Sequence, residues 1–183
     1  LHLAAQGASP ALVSLLVERG ADVNTVDNSG TAPLHILASR GNLAGMTLLV
    51  EKGADVNIAG GDGGTPLHAA AMGRQVAALR LLVGRKADVE RRNRYGRTPL
   101  VVAAREMRGV AVIGALLDLG AQIDAADKSN DTALSLASWF PTSRRARAQS
   151  SPLPAAPGFS PLPSSQLATG QPIVDISAGW DGT

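Results

Sequence analysis

One spacing constrains this chain more than any other feature. Leucine recurs at Leu1, Leu34, Leu67, Leu100 and Leu134, in steps of 33, 33, 33 and 34 residues. A second series, Gly20, Gly53, Lys86 and Gly120, keeps the same period. Two registers with one period describe a unit used repeatedly. Such a unit cannot bury its own apolar face and must stack on its copies, so the expected product is a solenoid rather than a closed core.

The residues around the markers specify the unit. Pro33, Pro66 and Pro99 suit the first turn of a helix, where no backbone N–H is needed. Ala4-Ala5, Ala69-Ala70 and Ala103-Ala104 follow, small enough to let neighbouring helices approach. Leu15-Leu16-Val17, Leu48-Leu49-Val50, Leu81-Leu82-Val83 and Ala115-Leu116-Leu117 mark a second, core-facing helix. The glycine that follows is expected to end it in the left-handed conformation. Lys86 breaks that series and should be strained there. Asp22-Val23-Asn24 and Asp55-Val56-Asn57 then begin an extended arm.

The recurring Thr-Pro-Leu-His of Thr65-Pro66-Leu67-His68, with Pro33-Leu34-His35 and Thr98-Pro99-Leu100, resembles the ankyrin repeat. So does Gly-Ala-Asp-Val-Asn at 20–24 and 53–57. The resemblance implies an all-α solenoid of stacked ankyrin repeats, each a helix-turn-helix with a β-hairpin finger. It spans residues 1–140: a partial repeat at 1–26, repeats at 27–59, 60–92 and 93–126, and a degenerate one at 127–140. The first is expected to be truncated, in a chain that reads as a fragment of something longer. The fourth carries one extra residue near Arg105 to Gly109. The fifth has Asn130, Ala133 and Ser135 where Gly, Pro and His are expected. Trp139 and Phe140 would cover the open end of the stack, with contact to a partner from groove-equivalent positions as the alternative. Residues 141–183 are rich in proline and serine, with Ser151-Pro152-Leu153-Pro154 echoed at Ser160-Pro161-Leu162-Pro163, and are expected to be a disordered tail.

Catalysis is not expected. The chain has no cysteine, so disulfides and thiolate chemistry are excluded, which fits an intracellular setting, cytoplasmic or nuclear. No apolar run has the length of a membrane span. His2, His35 and His68 stand one repeat apart, too far to share a metal whose ligands sit near 2 Å. The resemblance implies that each imidazole holds its own turn. Gly60-Gly61-Asp62-Gly63-Gly64 lacks the lysine and hydroxyl residue of a phosphate loop and reads as a flexible finger. Asp22, Asp55 and Asp88 recur with the period, as scaffold residues do. No cofactor, no metal and a monomeric binding protein are therefore expected.

Positions that differ between repeats are those the stack does not dictate. In repeat 4 they include Arg94, Tyr95, Arg97, Val102, Arg105 and Glu106; in repeat 2, Asn28, Ser29, Thr31, Ile36, Ser39 and Arg40. In repeat 3 they are Gly61, Asp62, Gly64, Ala69, Met72 and Gly73. The resemblance implies that this set lines a concave groove that grips partners. Charge is uneven. Residues 1–73 hold 3 basic and 6 acidic side chains, residues 74–108 hold 10 and 3, and residues 109–140 hold 1 and 4. The centre of the basic band is Arg91, Arg92, Arg94, Tyr95 and Arg97. Arginine grips carboxylate and phosphate with paired hydrogen bonds, and tyrosine adds a rigid face. The expected function is a protein-interaction scaffold whose partner offers an acidic or phosphorylated segment. The expected contacts are those five residues with Arg105, Asn28, Ser29, Arg40, Asp62 and Met72. Removing the four finger arginines together should weaken binding with little loss of stability. Nucleic acid fits less well, because only one aromatic interleaves and the flanks are acidic. The alternative is a targeting or regulatory module of a larger enzyme or regulator.

Overall fold

A computed structural model describes residues 1–7, 9–106 and 109–138. Its helices come in antiparallel pairs. The pairs are α1 (His2–Gln6) with α2 (Pro10–Glu18), α3 (Pro33–Arg40) with α4 (Leu43–Glu51), α5 (Pro66–Met72) with α6 (Val76–Gly84), and α7 (Pro99–Arg105) with α8 (Val110–Asp118). First helices α1, α3, α5 and α7 pack in one row and second helices α2, α4, α6 and α8 in another. Residues 133–138 make a further helical turn.

The local chemistry explains the pairs. Each of α3, α5 and α7 begins with proline, after an extended residue at Ala32, Thr65 or Thr98. Their leucines Leu34, Leu67 and Leu100 are buried, and so are Ala38, Ala71 and Ala104. Leu49, Leu82 and Leu116 close the core from the second row. Each such leucine contributes about 1.5–3 kcal/mol on burial. Among the described residues no helix is long and apolar enough to cross a membrane.

The second helices end as the period demands. Gly20, Gly53 and Gly120 have φ of 86°, 88° and 93°, and Lys86 takes the same left-handed conformation at 69°. A lysine there costs about 1–2 kcal/mol relative to glycine. The extra residue of repeat 4 falls between α7 and α8, where residues 107 and 108 lie outside the described set.

The fingers differ from the expected β-hairpins. Each is a five-residue turn, closed by Asp27 N–H to Thr31 O, Gly60 to Gly64, Asn93 to Arg97 and Asp127 to Asp131, at 2.7–3.0 Å. No strand occurs among the described residues. Fingers 3 and 4 share one main-chain bond, Arg94 N–H to Asp62 O at 2.8 Å, and fingers 4 and 5 another, Lys128 N–H to Tyr95 O at 3.1 Å, too few for a ladder. Trp139, Phe140 and the tail at 141–183 lie outside the described residues. At the edge of the described stack, Leu134 and Ile123 stand exposed over Leu100, Ile113 and Leu117.

Candidate protein-binding surface

The histidines do more than hold their own turns. His35 Nδ1 accepts the N–H of Ala32 and His68 Nδ1 accepts that of Thr65, at 3.2 and 3.1 Å. Each neutral ring therefore carries its proton on Nε2, which donates into the next finger. The acceptors are the carbonyls of Gly64, 3.0 Å from His35, and Arg97, 2.9 Å from His68. His2 reaches Thr31 O in the same way, at 2.8 Å. Each histidine thus ties its repeat to the following one. Burial pushes the His35 and His68 imidazoles below their usual value of 6.5, against their bonds to backbone carbonyls.

A second set of ties runs through the arms. Asn24 Oδ1 accepts from Asp55 N–H at 2.8 Å while its Nδ2 donates to Gly53 O at 3.1 Å. Asn57 makes the equivalent pair with Asp88 N–H and Lys86 O. One repeat on, Glu90 accepts from Gln122 N–H at 2.8 Å. A carboxylate has no proton to donate, so that joint keeps half of the arrangement.

Repeat 4 also lacks the histidine. Val101 occupies its place, and Thr98 Oγ1 receives the Val101 N–H at 3.4 Å. The joint to repeat 5 is made by arginines instead. Arg97 Nε lies 3.1 Å from Asp127 Oδ2, whose side chain is wholly buried. Burial would raise the Asp127 carboxyl; the N–H groups of Asp131 and Ser129 and the Arg97 guanidinium overcome it and hold the group below 3.8. Arg97 also stacks over the Tyr95 ring, 4.8 Å from its centroid. Arg92 donates to Gly96 O and across to Ala126 O. Arg105 meets Asp131 at 3.3 Å. Arg94 turns the other way and donates to Gly61 O in the preceding finger.

These bonds correct one expectation. Arg92, Arg94 and Arg97 are tied into the stack, so removing all four finger arginines would cost stability as well as any binding. Arg91 is exposed and makes no side-chain hydrogen bond or ion pair with the described residues. The charge is nevertheless only partly spent. Arg97 and Arg105 face carboxylates, whereas Arg92 and Arg94 are held by carbonyl oxygens that leave the positive charge uncancelled.

A second feature lies one repeat away. Between repeats 2 and 3 a cleft of about 330 Å³ is bounded by Ser29, Thr31, Ile36 and Ser39 on one side and Gly61, Asp62, Ala69 and Met72 on the other. Ser29, Asp62 and Met72, each expected at the surface, come together there. Asn28 and Arg40 are exposed outside it. Ile36, Ser39 and Ala69, variable positions outside the expected contact set, also line it. The signal was in the comparison of repeats, since Ala69 is the small member of the series Ile36, Ala69, Val102.

Two of the supposedly free positions are not free. A Cβ on Gly61 would lie 1.9 Å from Ser29 O, and one on Gly73 would lie 2.0 Å from Ser39 O. At Gly61 the four-glycine finger approaches repeat 2 too closely for a side chain, and Gly63 takes a left-handed φ of 76°. Flexibility is not what its glycines supply. Asp62 Oδ1 accepts the Gly64 N–H at 2.8 Å and fixes the tip. No three His, Asp or Glu side chains among the described residues are grouped to hold a metal.

Comparison with known families agrees with this architecture. A family model described as ankyrin repeats in many copies matches residues 1–50, 34–83 and 67–109, and a single ankyrin-repeat model matches residues 95–128. No curated protein matches the chain.

Proposed function

The chain belongs to the ankyrin-repeat family, whose repeats are generally protein–protein interaction modules, and from that premise we propose that finger 4 grips an acidic or phosphorylated segment of a partner protein. The observation that carries this reading is the set of cations without a counter-ion among the described residues. Arg92 and Arg94 are positioned by carbonyl oxygens, and Arg91 is unengaged by the described residues. Pre-positioned guanidinium groups spend less entropy on binding than free ones. Tyr95, half exposed beneath Arg97, adds a rigid apolar face beside them. The absence of cysteine from the sequence is in keeping with an intracellular setting, cytoplasmic or nuclear.

The test uses variants that spare the joint to repeat 5. Arg91→Ala with Arg94→Ala should weaken binding of fluorescein-labelled glutamate-rich and phosphoserine peptides by at least about tenfold, a loss of about 1.4 kcal/mol. The salt dependence of the remaining binding should flatten. Equal affinity in the double variant, with an unchanged salt slope, would overturn the proposal.

A further inference from the structure

The cleft beside finger 3 exists for identifiable reasons. Along the inner face of the first helices, repeats 2 and 4 present Ile36 and Val102, and repeat 3 presents Ala69. The finger beside Ala69 has glycine at 60, 61, 63 and 64. Gly61 and Ala69 stand on the same wall, and the volume missing there is that of the Ala69 side chain, because Ser29 O leaves no room for a Cβ on Gly61. Ile36 and Met72, the latter 52% exposed, remain as apolar walls around the gap. At about 330 Å³ the cleft is at the small end of binding pockets, a size that suits one inserted side chain.

Arg94 connects this cleft to the cationic finger. Its guanidinium donates to Gly61 O, and Gly61 is part of the cleft wall. A positive charge without a counter-ion among the described residues is therefore held against the wall of a largely apolar gap. In an extended segment, residues two apart point to the same face and are separated by about 6.5–7 Å. Such a segment can seat one side chain in the cleft and bring a near neighbour to Arg94. Asp62, part of the same wall, repels a doubly charged phosphate more than a single carboxylate, which favours aspartate or glutamate at that neighbouring place.

We infer that the cleft between repeats 2 and 3 receives an apolar side chain of an extended partner segment that also carries Asp or Glu within two residues, directed at Arg94. This rests on the acidic-segment reading above and adds an apolar anchor and a spacing to it.

Selection from a displayed library of random twelve-residue peptides, using the full chain, tests both at once. The expected enrichment is Leu, Ile, Met or Phe within two positions of Asp or Glu. Ala69→Ile gives repeat 3 the residue that repeat 2 already tolerates, so it should fill the cleft with the stack intact, as its thermal midpoint will show. It should lower the affinity of the selected peptides by at least about tenfold and remove the apolar preference while the acidic one stays. Met72→Ser is the second probe and should reduce affinity in the same direction. Enriched acidic residues without an apolar neighbour, or peptides indifferent to both variants, would overturn the anchor and leave the acidic reading standing. Apolar peptides sensitive to Ala69→Ile but lacking acidic residues would overturn the pairing together with the acidic reading. No enrichment over background would overturn both.

Discussion

Between repeats 3 and 4 a buried neutral imidazole bridges two turns, and between repeats 4 and 5 arginines bridge to a buried carboxylate and a carbonyl. Both joints satisfy main-chain groups that the stack would otherwise leave unpaired. They differ in what can undo them. The imidazole fails when it is forced to take a proton. The Arg97–Asp127 pair fails when either charge is removed, and the more exposed Arg105–Asp131 pair weakens in salt. In a stack where each unit touches only its neighbours, such a difference stays local.

His68→Ala should have the largest effect. It leaves the buried Thr65 N–H and the Arg97 carbonyl without a side-chain partner, which should cost about 3 kcal/mol in urea unfolding. A loss below about 1 kcal/mol would mean that water replaces the bridge. Arg97→Ala comes next, at about 2 kcal/mol, because it removes a charge-assisted bond from the buried Asp127 carboxylate, which keeps the N–H groups of Ser129 and Asp131. Amide exchange should locate the damage. Lys128 and Asp131 should exchange faster while Gly41 keeps its protection; uniform acceleration would contradict the local character of the joint.

Acid should separate the two joints without any mutation. Below pH 6.5 the unfolded chain protonates the histidines, while His35 and His68 resist in the fold because burial lowers their values. Stability is full above this range and falls with pH until the folded values are passed, by at most about 1.4 kcal/mol per pH unit for each histidine. Asp127 behaves otherwise. Its contribution persists above 3.8 and is lost only as pH drops through its lowered folded value. Loss of amide protection should therefore begin among repeats 2 to 4 and reach Asp131 later. Simultaneous loss would break the contrast. The smallest change is a gain: Lys86→Gly relieves the left-handed strain and should raise stability by about 1 kcal/mol at any of these pH values.

Much of the fold was legible because the stack repeats its requirements. Leu34, Leu67 and Leu100 announced the period, and Lys86 could be placed in a left-handed turn merely by counting from Gly20 and Gly53. The arginines were harder to read. Their partners are Asp127, Ala126 O and Gly61 O, a repeat away, and long side chains do not declare a direction in sequence. One sign was available: Val101 interrupts the histidine series, so some other group had to hold repeat 5. Gly61 and Gly73 misled for a related reason. Glycine marks both a loose loop and a tight approach, and only the neighbouring carbonyls of Ser29 and Ser39 decide between them.

The histidine bridges end on main-chain oxygen, and the residues that supply it are Thr31, Gly64 and Arg97. Three unlike residues serve because the bridge uses only their main chain. A joint of this kind imposes no sequence on the finger it secures, so the fingers are open to diversification under selection while the units remain interchangeable. Finger 4 marks the boundary of that freedom, since its own arginines carry the next joint, and changing them exchanges recognition against cohesion.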